Sequence, residues 1–459
     1  MDSAVVTMSG LATLCRRFST VRPAPATPRI AVVGAGPAGF YASQNILKNL
    51  PDSQVDIYEA LPVPFGLVRY GVAPDHPEVK NCISSFTKVG LHERVEFLGN
   101  TALGREVGLA ELLENYHAVL CTYGASKDRE LGLPGENLQN VISARDLVSV
   151  YNGAPGSEET KVNLDTDTVA IIGVGNVALD VARMILAPVE DLRKTDVTDA
   201  WLELRAASRV KRVVVIGRRG PLNVSFTIKE LREMIKLPGV ATNLRAEDFA
   251  GVQSELGKLE RPRKRLTELL LKSLQAPAKT DAQQAWELRL WRTPGSVLAD
   301  EAGRVRGLEL GDTRDPDLRE TLQCGTVVRS VGYISTAEDP DLPFHPDRHL
   351  VPNTEGRVSQ CPGLYTAGWL GTGPRGVIID TMNTAFRVAA NIVSDLKAQN
   401  LTHKPGMAGL QASLENRTSW DDWKLLDEEE IRRGQLKGKL RDKIVSVEEM
   451  LEFIMNNRK

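Results

Sequence analysis

The 459-residue sequence lacks the features that mark several classes of protein. Its formal net charge is only −2, so no overall positive field points to nucleic acid. No apolar run approaches the roughly 20 residues of a membrane-spanning helix. The cysteines form no CxxC pair, which argues against a disulfide scaffold, a metal site and a redox-active dithiol; they are Cys15, Cys82, Cys121, Cys324 and Cys361. These absences indicate a globular protein with reduced thiols in an intracellular compartment.

The first 21 residues have the composition of a targeting segment. They contain Arg16 and Arg17, several serines and threonines, and a single acid, Asp2. Their apolar stretch is short and broken, which is typical of a mitochondrial transit peptide rather than a secretory signal. We therefore predict that residues 1–28 lie outside the fold and that the mature protein is in the mitochondrial matrix, at most peripheral to the inner membrane. An unstructured tail is the alternative.

A glycine fingerprint for a dinucleotide begins at Gly34. It follows the apolar run at 30–33 and continues with Gly36 and Gly39. The first two glycines permit a tight turn and close approach of a pyrophosphate, and the third lets the next helix pack on the strand. Glu59 ends a second strand about 20 residues further on, which is the offset expected of an acid that binds ribose. The pattern predicts a Rossmann-type site.

A second, different fingerprint begins at Gly173. Gly175 follows it, and Ala178 replaces the third glycine. The strand that follows this motif leads into Arg218 and Arg219. An acid at that position would repel a 2′-phosphate. Guanidinium groups bind phosphate in a fork geometry, so this site is predicted to prefer NADP over NAD. The alternative is an ordinary solvated arginine pair.

The order of the two fingerprints predicts an insertion. Apolar strands followed by small residues at 118–125 and at 325–333 have the pattern of crossings between two units. We predict an α/β fold with two Rossmann-like dinucleotide-binding domains. The NADP-binding domain, 127–333, is inserted into a discontinuous FAD-binding domain formed by 29–126 and 334–459.

A glycine-rich loop at 371–376 precedes an apolar stretch that is predicted to be helical. A helix that begins near Gly376 directs its positive end at the neighbouring group, and negative charge is favoured there. This end could stabilise an anionic reduced flavin, and Trp369 could cover a ring. A helix entry with a structural tryptophan is the alternative.

Five stretches resemble the adrenodoxin reductases, the mitochondrial family of ferredoxin–NADP reductases: 62–80, 151–153, 175–183, 217–221 and 226–234. The similarity keeps the order of these motifs from about residue 29 to the C-terminus. The wider relatives resemble glutathione reductase without its dimerisation domain, which predicts a monomer.

The resemblance implies FAD in the first domain and NADP(H) in the second. The implied FAD-binding residues are Gly34, Gly36, Pro37, Ala38, Gly39, Glu59, Leu67, Leu103, Trp369, Gly376, Val377 and Ile378. The implied NADP-binding residues are Val174, Gly175, Asn176, Val177, Arg218, Arg219, Glu230 and Gly376. The loop after Trp369 departs from the family pattern at 371–372 and at Arg375.

The segment 258–272 has six basic and two acidic residues in a nearly neutral chain. Such a face would attract an acidic [2Fe–2S] ferredoxin, with an association that weakens in salt. The resemblance places the ferredoxin contacts on Arg232, Arg261 and Arg265. A solvated helix face is the alternative.

The expected chemistry is transfer of hydride from NADPH to FAD and of single electrons to two ferredoxin molecules. The electrons would then supply mitochondrial cytochromes P450, iron–sulfur cluster assembly or both. His76 is the predicted titratable group near the flavin or the docked carrier, since histidine exchanges protons near neutral pH. Asp180 and Glu230 are weaker candidates, at the domain contact or the nicotinamide side. His76 could instead only hold a turn.

Four other functions remain open at this stage. A flavin disulfide reductase needs a cysteine pair, and a glutamate synthase small subunit usually carries a cysteine-rich cluster domain; neither pattern is present. A flavin monooxygenase is poorly excluded by sequence. A non-catalytic NADP-binding sensor would bind no flavin.

Overall fold

The computed structural model describes residues 26–277, 279, 281–413 and 416–458. The predicted targeting segment, the first 21 residues, lies outside the described residues. The strands are β1 (Arg29–Val33), β2 (Gln54–Tyr58), β3 (Val95–Leu98), β4 (Ala118–Cys121), β5 (Lys127–Asp128), β6 (Val141–Ser143), β7 (Thr168–Ile172), β8 (Arg212–Ile216), β9 (Val240–Leu244), β10 (Gln284–Arg289), β11 (Arg292–Ala299), β12 (Val305–Asp312), β13 (Arg319–Gln323), β14 (Thr326–Arg329), β15 (Tyr333–Ile334) and β16 (Leu364–Thr366).

The helices alternate with these strands along most of the chain. They are α1 (Pro37–Asn49), α2 (Leu67–Tyr70), α3 (Ile83–Gly90), α4 (Leu109–Asn115), α5 (Ala144–Asn152), α6 (Asn176–Leu186), α7 (Val189–Leu192), α8 (Asp199–Ala206), α9 (Ile228–Lys236), α10 (Val252–Glu255), α11 (Arg261–Gln275), α12 (Trp369–Thr372), α13 (Ile378–Ala398), α14 (Trp420–Leu436) and α15 (Val447–Asn457). No helix in the described part of the chain is both long enough and apolar enough to cross a membrane.

The first sheet is parallel and has the strand order β16-β4-β1-β2-β3. Its strands are short apolar runs because both faces of the sheet are covered, as is usual for parallel sheets. Helices α1 and α13 pack against each other, and the buried residues of α1, α3, α13 and α14 form one core with β1 and β2. The first glycine loop lies at the carboxyl end of β1, where open α/β sheets bind their ligands.

The second sheet is also parallel and has the order β6-β14-β7-β8-β10-β9. Helices α5, α6, α8, α9 and α11 contribute to the core on one face. A three-stranded antiparallel sheet, β11-β12-β13, covers the other face with Val297, Leu308 and Leu322. The second glycine loop lies at the carboxyl end of β7.

Two connections between the sheets run side by side. Strand β5 leaves the first sheet and pairs in antiparallel fashion with β15, which returns from the second. Strand β16 then joins the first sheet beside β4. The predicted fold class, with one dinucleotide-binding domain inserted into the other, is therefore confirmed. The boundaries at 127 and 333 stay predictions.

The C-terminal helices pack on the first domain through two tryptophans. Trp420 and Trp423 of α14 lie in its core, and their rings meet Phe65 edge-on with centroids 6.0 and 5.5 Å away. The connection from α14 to α15 continues to the second domain, where Lys439 donates to the carbonyl of Val197 at 3.0 Å. The connection between α14 and α15 therefore bridges the two domains, and α15 returns to the core of the first.

Candidate functional site

The first glycine loop has the backbone geometry of a phosphate-binding turn. Gly34 has φ +109° and donates its N–H to the Tyr58 carbonyl at 2.7 Å. A Cβ on Gly39 would lie 2.2 Å from the Gly34 oxygen, whereas one on Gly36 would meet nothing within 4 Å. Gly36 offers no side-chain cap to α1, so the first N–H groups of the helix are free to bind an anion.

Glu59 lies beside this loop, as its spacing predicts. Its Oε2 accepts the N–H of Ala35 at 2.8 Å and its Oε1 accepts that of Leu61 at 3.2 Å. Burial raises the pKa of Glu59, and these backbone donors oppose the shift. Each carboxylate oxygen has a second lone pair, so the side chain can also accept a ribose hydroxyl.

The segment before α2 is fastened to the same loop. Phe65 donates its N–H to the Ala35 carbonyl at 2.8 Å, and a Cβ on Gly66 would lie 3.3 Å from the Cα of Gly36. Leu67 follows and is 37% exposed, so its apolar side chain is available to a ligand in this cleft. Leu103, by contrast, is buried in the core on the Tyr58 side of the sheet.

The loop at 368–378 also lies against the start of α1. A Cβ on Gly368 would be 2.7 Å from the Cβ of Ala38, so only glycine fits there. Trp369 is half-buried, and its ring centroid lies 5.5 Å from that of Tyr333. Trp369 is therefore at the junction of the two domains, since Tyr333 belongs to the returning connection.

The helix predicted to begin near Gly376 differs from the expectation in one respect. Helix α13 begins at Ile378, two residues after Gly376, and Asp380 caps it by accepting the Val377 N–H at 2.9 Å. A carboxylate in the first turn already offsets part of the positive end charge. The N-terminus of α13 therefore offers an anionic flavin less stabilisation than an uncapped helix would. The exposed side chain of Val377 supplies apolar surface instead.

The second glycine loop repeats the geometry of the first. Gly173 has φ +129° and donates its N–H to the Ile216 carbonyl at 2.8 Å. A Cβ on Gly175 would again meet nothing within 4 Å, and α6 begins directly after it without a side-chain cap. Asn176 braces the loop by accepting the Thr227 N–H at 2.8 Å. Both loops therefore fit a dinucleotide pyrophosphate.

Arg218 and Arg219 follow β8 and are exposed. Among the described residues, neither guanidinium has an ion-pair partner, whereas most other arginines of this domain do. Two unpaired guanidinium groups at the strand end fit the 2′-phosphate predicted from the sequence. Val174 and Val177 are half-buried beside the loop, where they can contact the same ligand.

All three predicted catalytic residues meet at one buried arginine, Arg183. Its Nε donates to Asp75 at 2.5 Å, its Nη2 to Asp180 at 2.7 Å and its Nη1 to Glu230 at 3.1 Å. The Nε2 atom of His76 lies 3.1 Å from Nη2 of Arg183. Asp75 and His76 come from the first domain and the others from the second, so the cluster joins the two domains.

Glu233 completes this group. Its Oε2 lies 2.6 Å from Nε2 of His76 and 3.7 Å from Nη1 of Arg183. A contact of 2.6 Å with a carboxylate needs a proton on Nε2, so the approach of Arg183 to that nitrogen is a contact and not a hydrogen bond. We call the six residues Asp75, His76, Asp180, Arg183, Glu230 and Glu233 the acidic cluster.

The electrostatics of the acidic cluster favour one retained proton. Burial, reinforced by the charges of Asp180 and Glu233, raises the pKa of Glu230 to about 8. Arg183 holds the pKa of Asp75 below its usual range. His76, Glu230 and Glu233 also place possible metal ligands within 4.8 Å of one another. The Arg183 guanidinium already supplies the positive charge that such carboxylates require.

The predicted ferredoxin contacts lie on two adjacent helices. Arg232 is exposed on α9, and Arg261 and Arg265 are exposed in the first turns of α11, which packs on α9. None of the three has an ion-pair partner within the described ranges. Arg263 points inward and donates to the Val224 carbonyl at 2.6 Å.

Comparison with known proteins decides the family. The chain is 48% identical to the mitochondrial NADPH:adrenodoxin oxidoreductase of Mus musculus, over 96% of this chain and 94% of that protein. The Drosophila melanogaster protein of the same name is also 48% identical, over 96% of this chain and 97% of that one. The chain belongs to the NADPH:adrenodoxin oxidoreductase family. No protein-family model matches it.

A solved structure agrees with this family assignment. The oxidoreductase FprA of Mycobacterium tuberculosis, in complex with NADPH, superposes with a TM-score of 0.89 at 33% identity, covering 93% of this chain and all of that one. The chain is therefore an oxidoreductase with FAD and NADP(H) as its cofactors, and the predicted family, fold and cofactors are confirmed. The two glycine loops are the predicted positions for these cofactors. The individual site residues stay predictions.

Sequence reasoning missed half of the acidic cluster. Asp75 precedes His76 directly, and Arg183 and Glu233 each lie three residues after a predicted site residue on the same helix. The spacing i, i+3 places two side chains on one helix face, and this signal could have indicated both. Nothing in the sequence indicates that helices α6 and α9 meet the 74–76 segment.

Proposed function

We propose that this oxidoreductase passes electrons from NADPH, through FAD, to an acidic mitochondrial [2Fe–2S] ferredoxin of the adrenodoxin type. Bound FAD supplies the conversion of a two-electron hydride donor into a one-electron donor. The chain's own residues bind the two dinucleotides at Gly34–Gly39 and Gly173–Asn176 and place them at the domain junction. The proposed setting is the mitochondrial matrix, at most peripheral to the inner membrane, with the protein as a monomer.

The observation that carries this proposal is the unpaired positive charge at the start of α11. Arg261, Lys264 and Arg265 are exposed in its first two turns, where the helix dipole disfavours cations and favours anions. Arg232 of the adjacent α9 adds to the same surface, which we call the basic face. An arrangement that is unfavourable for the isolated helix becomes favourable when an acidic partner binds.

The electron route beyond ferredoxin is also part of the proposal. Reduced ferredoxin would supply mitochondrial cytochromes P450, iron–sulfur cluster assembly or both. The relatives are named for adrenodoxin, which supports a ferredoxin partner. Neither glycine loop nor the basic face distinguishes between the two downstream routes.

The test is NADPH-driven cytochrome c reduction with and without a mitochondrial [2Fe–2S] ferredoxin, at low and high salt. We expect strong dependence on ferredoxin, and a rate that falls as salt screens the basic face. Reduction of the flavin with electrons passing only to oxygen would contradict the proposal and favour a monooxygenase or oxidase.

The basic face has a matched control in the first domain. The R261E/R265E variant should raise the KM for ferredoxin at least about tenfold, since rim charges govern association. The K48E/K397E variant reverses two exposed lysines on α1 and α13 and should leave that KM within about twofold. Equal effects of the two variants would show that general charge, and not this face, attracts ferredoxin.

A further inference from the structure

Arg183 is the only residue of the acidic cluster that contacts both domains through a rigid fork. Nε and Nη2 lie 2.5 and 3.2 Å from the two carboxylate oxygens of Asp75, which belongs to the first domain. The remaining donors are directed to Asp180 and Glu230 of the second domain. The side chain is 4% exposed, so water does not replace these contacts.

The position of Arg183 ties the cluster to the cofactor sites. Arg183 lies seven positions after Asn176 of the second glycine loop, a distance of about 10 Å along α6. Thr227, which donates to Asn176, also caps α9, the helix that carries Glu230 and Glu233. Any shift of the acidic cluster therefore moves the loop proposed to bind NADP(H).

In the first domain, the acidic cluster is connected through α2 to the loop proposed to bind FAD. Asp75 and His76 lie a few residues after α2, which begins at Leu67 next to Gly66. Gly66 in turn lies against Gly36. The acidic cluster therefore joins the segments that pack against the two glycine loops.

Charge makes this contact depend on Arg183. Without its guanidinium, the carboxylate of Asp75 in the first domain would face those of Asp180 and Glu233 in the second. Carboxylates a few ångströms apart in a poorly solvated site repel strongly. The two domains would separate on this side or adopt another angle.

We propose that Arg183 is a positioning residue for hydride transfer, which sets the approach of the nicotinamide site to the flavin site by joining Asp75 to Asp180 and Glu230. This inference rests on the proposed function and adds no chemical step to it. Lysine cannot replace arginine fully, because an ammonium group is a point charge and cannot donate to Asp75 in a fork while reaching two more carboxylates.

The test measures flavin reduction by NADPH in a stopped-flow instrument, separately from ferredoxin reduction. We expect R183K to lower the maximal rate at least about tenfold, because small misplacements of reacting groups are costly. The NADPH concentration for half-maximal rate should change less than about threefold, since the glycine loop and the arginine pair remain. E233Q keeps the arginine and weakens the hold on His76; it should lower the rate less than R183K.

Hydrogen exchange supplies a readout that does not depend on activity. In R183K the amides of 71–82 and 225–236 should exchange faster than in the wild type, while those of the first sheet stay unchanged. The matched control is R205K, which alters a buried arginine of the same domain that donates to the Leu186 carbonyl at 3.2 Å. It should leave both the reduction rate and these amides unchanged.

The outcomes separate the two proposals. Wild-type reduction rates in both R183K and E233Q would overturn the positioning role and leave ferredoxin reduction untouched. An equal loss in R205K would show that the effect is general destabilisation and would also overturn it. Failure of ferredoxin to accept electrons from the wild-type enzyme would contradict the proposed function alone, because flavin reduction is measured without ferredoxin.

Discussion

Two of the ion clusters that join the domains carry opposite surplus charges. In the acidic cluster, one arginine is shared by four carboxylates. In the second cluster, Asp196 lies between Lys80 and Lys443, at 2.7 and 2.8 Å. We call these three residues the basic cluster. Lys80 is only four residues from His76, so one short segment of the first domain contributes to both.

In each cluster, burial shifts the pKa of surplus groups toward neutral pH and so reduces the surplus charge. Burial raises the pKa of Glu230 to about 8 in the acidic cluster. In the basic cluster, burial lowers the pKa of Lys443 to about 7, and the lysines hold the pKa of Asp196 well below its usual range. One interface therefore tolerates two opposite surpluses of charge, because the acidic cluster retains a proton and the basic cluster loses one.

The largest expected effect is on stability, from loss of the carboxylate of the basic cluster. D196N would leave Lys80 and Lys443 buried together without a counter-charge. Removal of one partner from a buried ion pair costs about 3–5 kcal/mol. Urea unfolding of the flavin-loaded protein should show this loss, with faster hydrogen exchange at 437–445, the segment that carries Lys443.

An exposed aspartate of the same domain provides the control. Asp165 pairs with Arg209 at 3.1 Å, and both side chains are about 70% exposed. D165N should change the free energy of unfolding by less than about 1 kcal/mol. A similar loss in both variants would mean that burial does not decide the strength of these pairs, and the comparison of clusters would lose its basis.

The sequence predicts the two glycine loops better than it predicts the acidic and basic clusters. Gly34 and Gly173, the acid at Glu59 and the arginine pair are local patterns, because strand, turn and helix are consecutive in the chain. The acidic cluster unites residues from three separate segments, and the basic cluster needs Lys443, nearly 250 residues from Asp196. Such pairings depend on the angle between the domains, which no local spacing encodes.

The second prediction concerns pH, where the two clusters should respond in opposite directions. Glu230 binds its proton more tightly when folded, so its contribution to stability is present at low pH and is lost as pH rises from about 4.5 to about 8. Lys443 loses its proton more readily when folded, so stability rises from about pH 7 toward 10. Each slope is at most about 1.4 kcal/mol per pH unit for one proton.

Two variants isolate these slopes. Relative to wild type, E230Q should gain stability between pH 5 and about 8, and K443M should lose its share of the rise above about pH 7. The free energy of unfolding from urea titrations across this range measures both. Parallel curves for wild type and E230Q would show that Glu230 is ionised in the folded protein, contrary to the charge balance argued above.

The smallest expected effect comes from an exposed ion pair between the same domains. Lys229 and Glu78 lie 2.6 Å apart beside the acidic cluster, but their side chains are 47% and 55% exposed. Water and salt screen such a pair, so a double-mutant cycle with K229Q and E78Q should give a coupling of less than about 1 kcal/mol.

That coupling should also fall in about 1 M salt, where the screening length is about 3 Å. The pair is as short as those of the buried clusters and differs from them in its exposure. A coupling above about 2 kcal/mol that survives salt would therefore mean that water is excluded from this edge of the interface as well. The contrast between the two buried clusters and the exposed Lys229–Glu78 pair would then fail, since distance alone would account for the strength of their ion pairs.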